Sequence, residues 1–158
     1  MAHILIVCTA NICRSPVAEA LLQDRLNQRE LSQWTVSSAG TWAHWLRSAS
    51  QFSIDVAQRM GLDISSHQSR MIDAALLEQA DLVLCMEAGH VEAIQVEFPA
   101  YADKVYLLSE MVGEKYSVHD PYGESLTRYQ QMASELSMLI DNGLERIIEL
   151  AKGNANGR

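Results

Sequence analysis

Val7-Cys8-Thr9-Ala10-Asn11-Ile12-Cys13-Arg14-Ser15-Pro16 joins the end of a strand to the start of a helix. The residues before it, His3-Ile4-Leu5-Ile6-Val7, form an apolar, β-branched run of buried-strand character. After it, Ser15 can cap a helix and Pro16 is pre-set for its first turn. Glu19 then adds a negative charge near the positive end of that helix. Backbone N–H groups between Cys8 and Arg14 can turn inward as an anion nest, and the helix N-terminus adds partial positive charge. Cys8 would lie on the floor of this nest, in a field that favours its thiolate. Arg14 supplies a planar, permanently charged fork for two oxygens of a phosphate. Taken alone, Cys8 reads as a small buried core residue. Asn11, Arg14, Ser15 and Pro16 in register argue for the nest instead, with Thr9, Ala10, Ile12 and Cys13 completing the cradle. Asn11 suits a left-handed backbone, because its short amide can bond locally.

A cysteine, five intervening residues, an arginine and a hydroxyl residue make the signature of cysteine-based phosphatases. The fuller string C-x-x-N-x-C-R-S-P, at the extreme N-terminus of this sequence, resembles the low-molecular-weight protein tyrosine phosphatase family. The resemblance implies that Cys8 attacks phosphorus to form a thiophosphate, while Arg14 and the loop amides hold the equatorial oxygens. Ala10 departs from the family's frequent glycine, and a nest survives there if φ stays negative. Ser38-Ala39-Gly40-Thr41 resembles a second family segment, which gives Ser38 the task of supporting Asn11. On its own residues, Ser38 also reads as a strand-end serine bonding its own turn. His67-Gln68-Ser69-Arg70 resembles a third, in which the histidine bonds the loop asparagine. A surface histidine is the plain alternative for His67, and no partners at zinc-like spacing argue for a metal there. Val118-His119-Asp120-Pro121-Tyr122 resembles the family's D-P-Y loop. Asp120 is then the general acid that a phenolate leaving group requires, and Tyr122 stacks on the substrate ring. Without Cys8, an Asx-turn aspartate would suffice for Asp120. Trp42, His44 and Trp45 follow the second strand, and an aromatic there could wall the pocket or cap the core. Trp45 is favoured for the wall, with His44 next.

The rest of the chain supplies a scaffold. At 158 residues it is one domain's length, and 48% hydrophobic with 20% charged residues is ordinary for a globular protein. No apolar run reaches the ~20 residues of a membrane span, and no basic leader with a long apolar stretch marks a secretory signal. A net charge of −8 argues against nucleic-acid or anionic-membrane binding, although a phosphate site is local and escapes that argument. Three cysteines without repeated spacing form no disulfide framework, which suits the cytoplasm. Strands are expected at 34–38, 81–86 and 104–108, and helices from Pro16, at 50–60, around Leu76-Leu77, at 90–98 and at 126–152. Cys85 falls in the third strand as a buried thiol. The alternation predicts a three-layer, Rossmann-like α/β fold: an open sheet of four parallel strands flanked by helices. Residues 1–152 form a single phosphatase domain, with 153–158 a disordered tail.

The combined reading is a cytoplasmic phosphotyrosine phosphatase that needs no cofactor or metal. Its substrate is a phosphotyrosine-containing protein, a tyrosine kinase being one candidate, and phosphate or sulfate should occupy the loop. Two rivals differ in class. An arsenate reductase would need further thiols to relay a disulfide outward, and a buried Cys85 does not provide them. Cys13 could still protect Cys8 reversibly from over-oxidation. A non-catalytic phosphotyrosine-binding module would have no use for both Cys8 and Asp120. Ile12 bears on the choice of side chain. Its branched apolar surface suits a phenyl ring and not a guanidinium, and phosphoarginine-selective members of the resembled family carry threonine at the matching position.

Overall fold

The structure, a computed structural model, describes residues 1–157. Its four strands are β1 (His3–Cys8), β2 (Thr35–Gly40), β3 (Leu82–Cys85) and β4 (Val105–Leu107), all parallel in the order β2-β1-β3-β4. The helices are α1 (Arg14–Gln28), α2 (Gln51–Arg59), α3 (Ala74–Gln79), α4 (Ala88–Glu97) and α5 (Leu126–Asn156). Pro99 ends α4 and opens a 3-10 segment, Pro99–Lys104, that leads into β4.

β1 is central, and its alternation sorts the core into two layers. Ile4, Ile6 and Cys8 face the layer built with α1, α2 and α5, where Leu21, Leu22, Leu136 and Ile140 pack. Leu5 and Val7 face the opposite layer, with Leu77 of α3 and Ile94 of α4. Burial on both faces explains why β1 reads as a continuous apolar run. From β1 the chain goes first to one side of the sheet, to β2, and later to the other, to β3. The carboxyl end of β1 is therefore the switch point at which open α/β sheets hold ligands, and Cys8 is its last residue.

Two sequence expectations need correction. Ser15 does not cap α1: the N-cap is Cys13, and Ser15 lies inside the first turn with its hydroxyl turned back toward Cys8. The tail expected to be disordered from 153 is helical through Asn156, because Asn154 Nδ2 donates to the Asp81 carbonyl at 2.8 Å and Ala151 is buried. Arg158 lies outside the described residues.

Gly40 ends β2 where the strand meets the loop after Cys8. A Cβ there would collide with the Thr9 carbonyl oxygen and crowd the Asn11 amide at 3.1 Å. The backbone alone can approach this closely. Gly40 N–H donates to the Arg70 carbonyl, and Thr41 N–H to that of Cys8. The first bond ties β2 to the segment at Arg70, and the second ties the chain after β2 to the 8–14 loop.

Candidate active site

The loop from Cys8 to Arg14 is shaped by one buried residue. Asn11 has φ 59°, the left-handed conformation that its side chain tolerates. Its Nδ2 donates to Ser15 Oγ at 2.7 Å and to Ser38 Oγ at 2.9 Å, and its Oδ1 accepts from Arg70 N–H at 3.0 Å. His67 Nε2–H donates to the Asn11 carbonyl at 2.6 Å. Ser38 and His67 therefore both meet Asn11, one at its side chain and one at its backbone. Glu19 lies behind them, its Oε2 accepting from Ser38 Oγ at 3.2 Å and 3.8 Å from His67 Nδ1. Burial raises the Glu19 carboxyl and lowers the His67 imidazole from their ordinary ranges, so both shifts favour the uncharged forms.

Because Asn11 Nδ2 donates to Ser15 Oγ, the Ser15 hydroxyl proton is left to point at Cys8 Sγ, 2.9 Å away. A thiolate on Cys8 has a donor waiting. Cys13, next to Arg14, is buried against Tyr129 Oη at 3.4 Å and Ser50 Oγ at 3.5 Å, and that burial pushes its thiol up.

Arg14 is 1% exposed. Its Nη1 donates to Glu87 Oε2 and to the Val118 carbonyl, both at 2.7 Å. Those two contacts fix the plane of the guanidinium. Nη2 lies 3.6 Å from Asp120 Oδ2, and the buried Nε has no hydrogen-bond partner among the described residues. A buried guanidinium with one edge anchored and another unmatched is suited to an anion that accepts from it.

Cys8, Thr9, Ala10, Ile12, Cys13 and Arg14 line a cavity of about 190 Å³, closed at its rim by Arg47, Asp120 and Tyr122. Asp120 is on the surface side, with Oδ1 accepting from Tyr122 N–H at 3.1 Å in an Asx turn that aims the other oxygen at Arg14. Tyr122 stands at the mouth with the Arg47 guanidinium 5.9 Å from its ring centroid. His44 and Trp45 are not part of this lining. Both are exposed, in a chain of edge-on ring contacts with Trp42. Arg47, two residues further on, takes the wall position instead. An open cleft of about 600 Å³ is lined by the support residues Glu19, Ser38, His67 and Arg70, and by no cysteine.

The sequence reading missed Glu87, His90 and Arg47. Glu87 and His90 follow β3, the strand beside β1, and the rule that ligands sit beyond strand ends at a switch point could have flagged them. Arg47 sits in a loop without periodicity, and no signal in the sequence marks it.

Comparison with known proteins agrees with this geometry. The sequence model of the low molecular weight phosphotyrosine protein phosphatase family matches residues 3–152. A probable low molecular weight protein-tyrosine-phosphatase, EpsP of Ralstonia nicotianae, is 35% identical over 144 residues, covering 91% of this chain and 94% of its own. A protein-arginine-phosphatase of Bacillus subtilis is 38% identical over 138 residues, covering 87% and 91%. The solved structure of a low molecular weight protein tyrosine phosphatase from T. tengcongensis superposes with a TM-score of 0.88 at 37% identity, over 92% of this chain and 99% of that one. The chain belongs to the low molecular weight phosphotyrosine protein phosphatase family. Its members are hydrolases acting on phosphoproteins, and the fold is the family's four-stranded parallel sheet flanked by helices. Among the described residues no helix is long and apolar enough to cross a membrane.

The three side-chain hydrogen bonds of Asn11 are each worth ~0.5–1.5 kcal/mol, and a left-handed alanine would cost ~1 kcal/mol or more. Asn11→Ala should therefore lower the unfolding free energy by about 2–5 kcal/mol in urea titration, and Ser38→Ala by less. An unchanged midpoint for Asn11→Ala would remove Asn11 from this role.

Proposed function

We propose that the protein hydrolyses phosphotyrosine in proteins, with Cys8 as nucleophile, Arg14 and the loop amides as phosphate ligands and Asp120 as general acid and base. The observation that carries the reading is the shared cavity: Cys8 and the buried Arg14, whose Nε is unmatched, line it, and Asp120 stands at its rim. In the first step the Cys8 thiolate attacks phosphorus in line, the S–P bond forms, and the P–O bond to the phenol breaks. Asp120 gives its proton to the departing oxygen. In the second step water attacks the thiophosphate, Asp120 takes the water's proton, and Cys8 leaves as a thiolate stabilised by the Ser15 hydroxyl. Backbone amides of Thr9 to Arg14 and the Arg14 fork hold the three equatorial oxygens through both steps, where charge develops. The same reading places the enzyme in the cytoplasm, where Cys8 is kept as a thiol.

Tyrosine and arginine are the two side chains to separate, since the relatives include phosphatases named for each. Ile12 supports tyrosine. It lines the cavity with Tyr122 at the mouth, so a phenyl ring would meet apolar surface, whose burial is favourable by ~25 cal/mol per Å². A guanidinium held there would lose water without gaining an acceptor from Ile12.

Two experiments test this. Asp120→Asn should slow hydrolysis of phenyl phosphate by ~10²–10⁴-fold but that of p-nitrophenyl phosphate far less, because the nitrophenolate departs with little help. Equal losses on both substrates would take Asp120 out of the acid role. Separately, wild-type protein should prefer a phosphotyrosine peptide over a phosphoarginine peptide, and Ile12→Thr should move the ratio of kcat/KM toward phosphoarginine by on the order of tenfold. A wild-type preference for phosphoarginine would overturn the tyrosine assignment while leaving the Cys8 mechanism in place.

A further inference from the structure

Thr9 follows the nucleophile and lines its cavity. Its Oγ1 lies 2.8 Å from Nε2 of His90, a buried residue in the first turn of α4. The other ring nitrogen of His90, Nδ1, accepts from the backbone N–H of Glu87 at 3.1 Å. Glu87 returns the contact by accepting the His90 backbone N–H on its carboxylate, so the two form a reciprocal helix cap. A ring nitrogen that accepts a hydrogen bond carries no proton, so the proton of the neutral imidazole sits on Nε2. Nε2–H therefore donates to Thr9 Oγ1 at 2.8 Å, the nearer of its two acceptors, since Glu87 Oε2 lies 3.5 Å from the same nitrogen.

The charged groups facing this ring are Arg14, Glu87 and Asp120. Burial and the Arg14 cation lower the imidazole to about 4, against the opposing pull of the two carboxylates, so it stays neutral at physiological pH. The cap acts in the same direction, because protonating Nδ1 would set two donors against each other. The second polar neighbour of Thr9 Oγ1 is also a donor: Arg14 Nη2, at the longer distance of 3.5 Å. With donors on both sides, the hydroxyl oxygen is an acceptor and its own proton must go elsewhere.

We propose that His90 is a positioning residue, locked as a donor by its cap with Glu87, which turns the Thr9 hydroxyl proton into the cavity as a side-chain ligand for a phosphoryl oxygen. The loop then binds phosphate with one donor beyond its backbone amides and Arg14. This inference rests on the phosphate site proposed above. It assigns a task to a residue that neither attacks phosphorus nor moves a proton.

A coupling experiment tests it, with inorganic phosphate as the calorimetric probe and phenyl phosphate as substrate. Thr9→Val should weaken phosphate binding and lower kcat/KM by about tenfold, the size of one hydrogen bond to a charged group. His90→Asn keeps an acceptor near the Nδ1 position for the cap but loses the reach to Thr9. It should cost about tenfold alone and less than about twofold when Thr9 is already valine. His90→Gln places an amide N–H near the Nε2 position and should recover most of the loss. A purely structural cap would leave His90→Asn at wild-type phosphate affinity, and that result overturns the proposal. So do equal His90→Asn losses in both backgrounds. Wild-type protein that neither binds phosphate nor hydrolyses phenyl phosphate would overturn the phosphatase reading as well, whereas normal wild-type binding with additive losses overturns this inference alone.

Discussion

The site depends on a single left-handed residue. Asn11 at φ 59° reverses the backbone inside the loop, and every polar group it carries toward the interior is matched by a neighbour from another segment. Ser38 comes from the end of β2, His67 and Arg70 from the segment after α2, and Ser15 from the first turn of α1. An amide buried without partners would cost several kcal/mol, so the four contacts hold together or fail together. Their combined effect is to fix where Cys8 and Arg14 stand relative to each other. The tight approach of Gly40 to the Thr9 carbonyl belongs to the same construction, because β2 has to end against the loop for Ser38 to reach Asn11.

The proposed binding of a phosphate dianion by an acidic chain has an electrostatic basis. The net charge of −8 is spread over the whole chain, while the loop concentrates backbone dipoles and one buried guanidinium within a few ångströms. Arg14 is not left alone in the interior. Glu87 neutralises part of its charge, as burial demands of an ion, and the Val118 carbonyl ties it to the loop that carries Asp120. Those contacts occupy Nη1 and leave Nε unmatched, in a residue that lines the cavity. In the proposed phosphate site the arrangement exchanges some affinity for orientation, since a carboxylate beside it opposes the ligand it helps to place.

The parts legible in the sequence are those that local chemistry dictates. Cys8, Arg14 and Asn11 lie within seven consecutive residues, so their spacing is itself the signal, and the left-handed backbone of Asn11 follows from its side chain. The buried strands are equally plain, because β1 after His3 and the whole of β3 are apolar. What the sequence hides is set by pairing across the sheet. Glu87 and His90 reach Arg14 and Thr9 only because β3 lies beside β1, and no local pattern in either segment announces that. Ser15 is a capping residue by propensity, yet its hydroxyl is recruited by Cys8 and Asn11 instead. Residues 153–156 look like part of a frayed tail by composition, but one amide of Asn154 on the Asp81 carbonyl helps hold them in α5. Arg47 takes the wall position that the aromatic character of Trp45 and His44 suggested, since those rings contact one another and face solvent.

In the proposed mechanism this loop delivers a phosphoryl group to the sulfur of Cys8. Acid-quenching the enzyme during turnover of a phosphotyrosine peptide, followed by digestion and mass spectrometry, tests it most directly. A single phosphoryl group is expected on the peptide that carries Cys8, bonded to its sulfur. A phosphoryl group on His67 or His90, or an unmodified Cys8 in enzyme quenched at saturating substrate while the dephosphorylated tyrosine peptide appears in a burst, would contradict it.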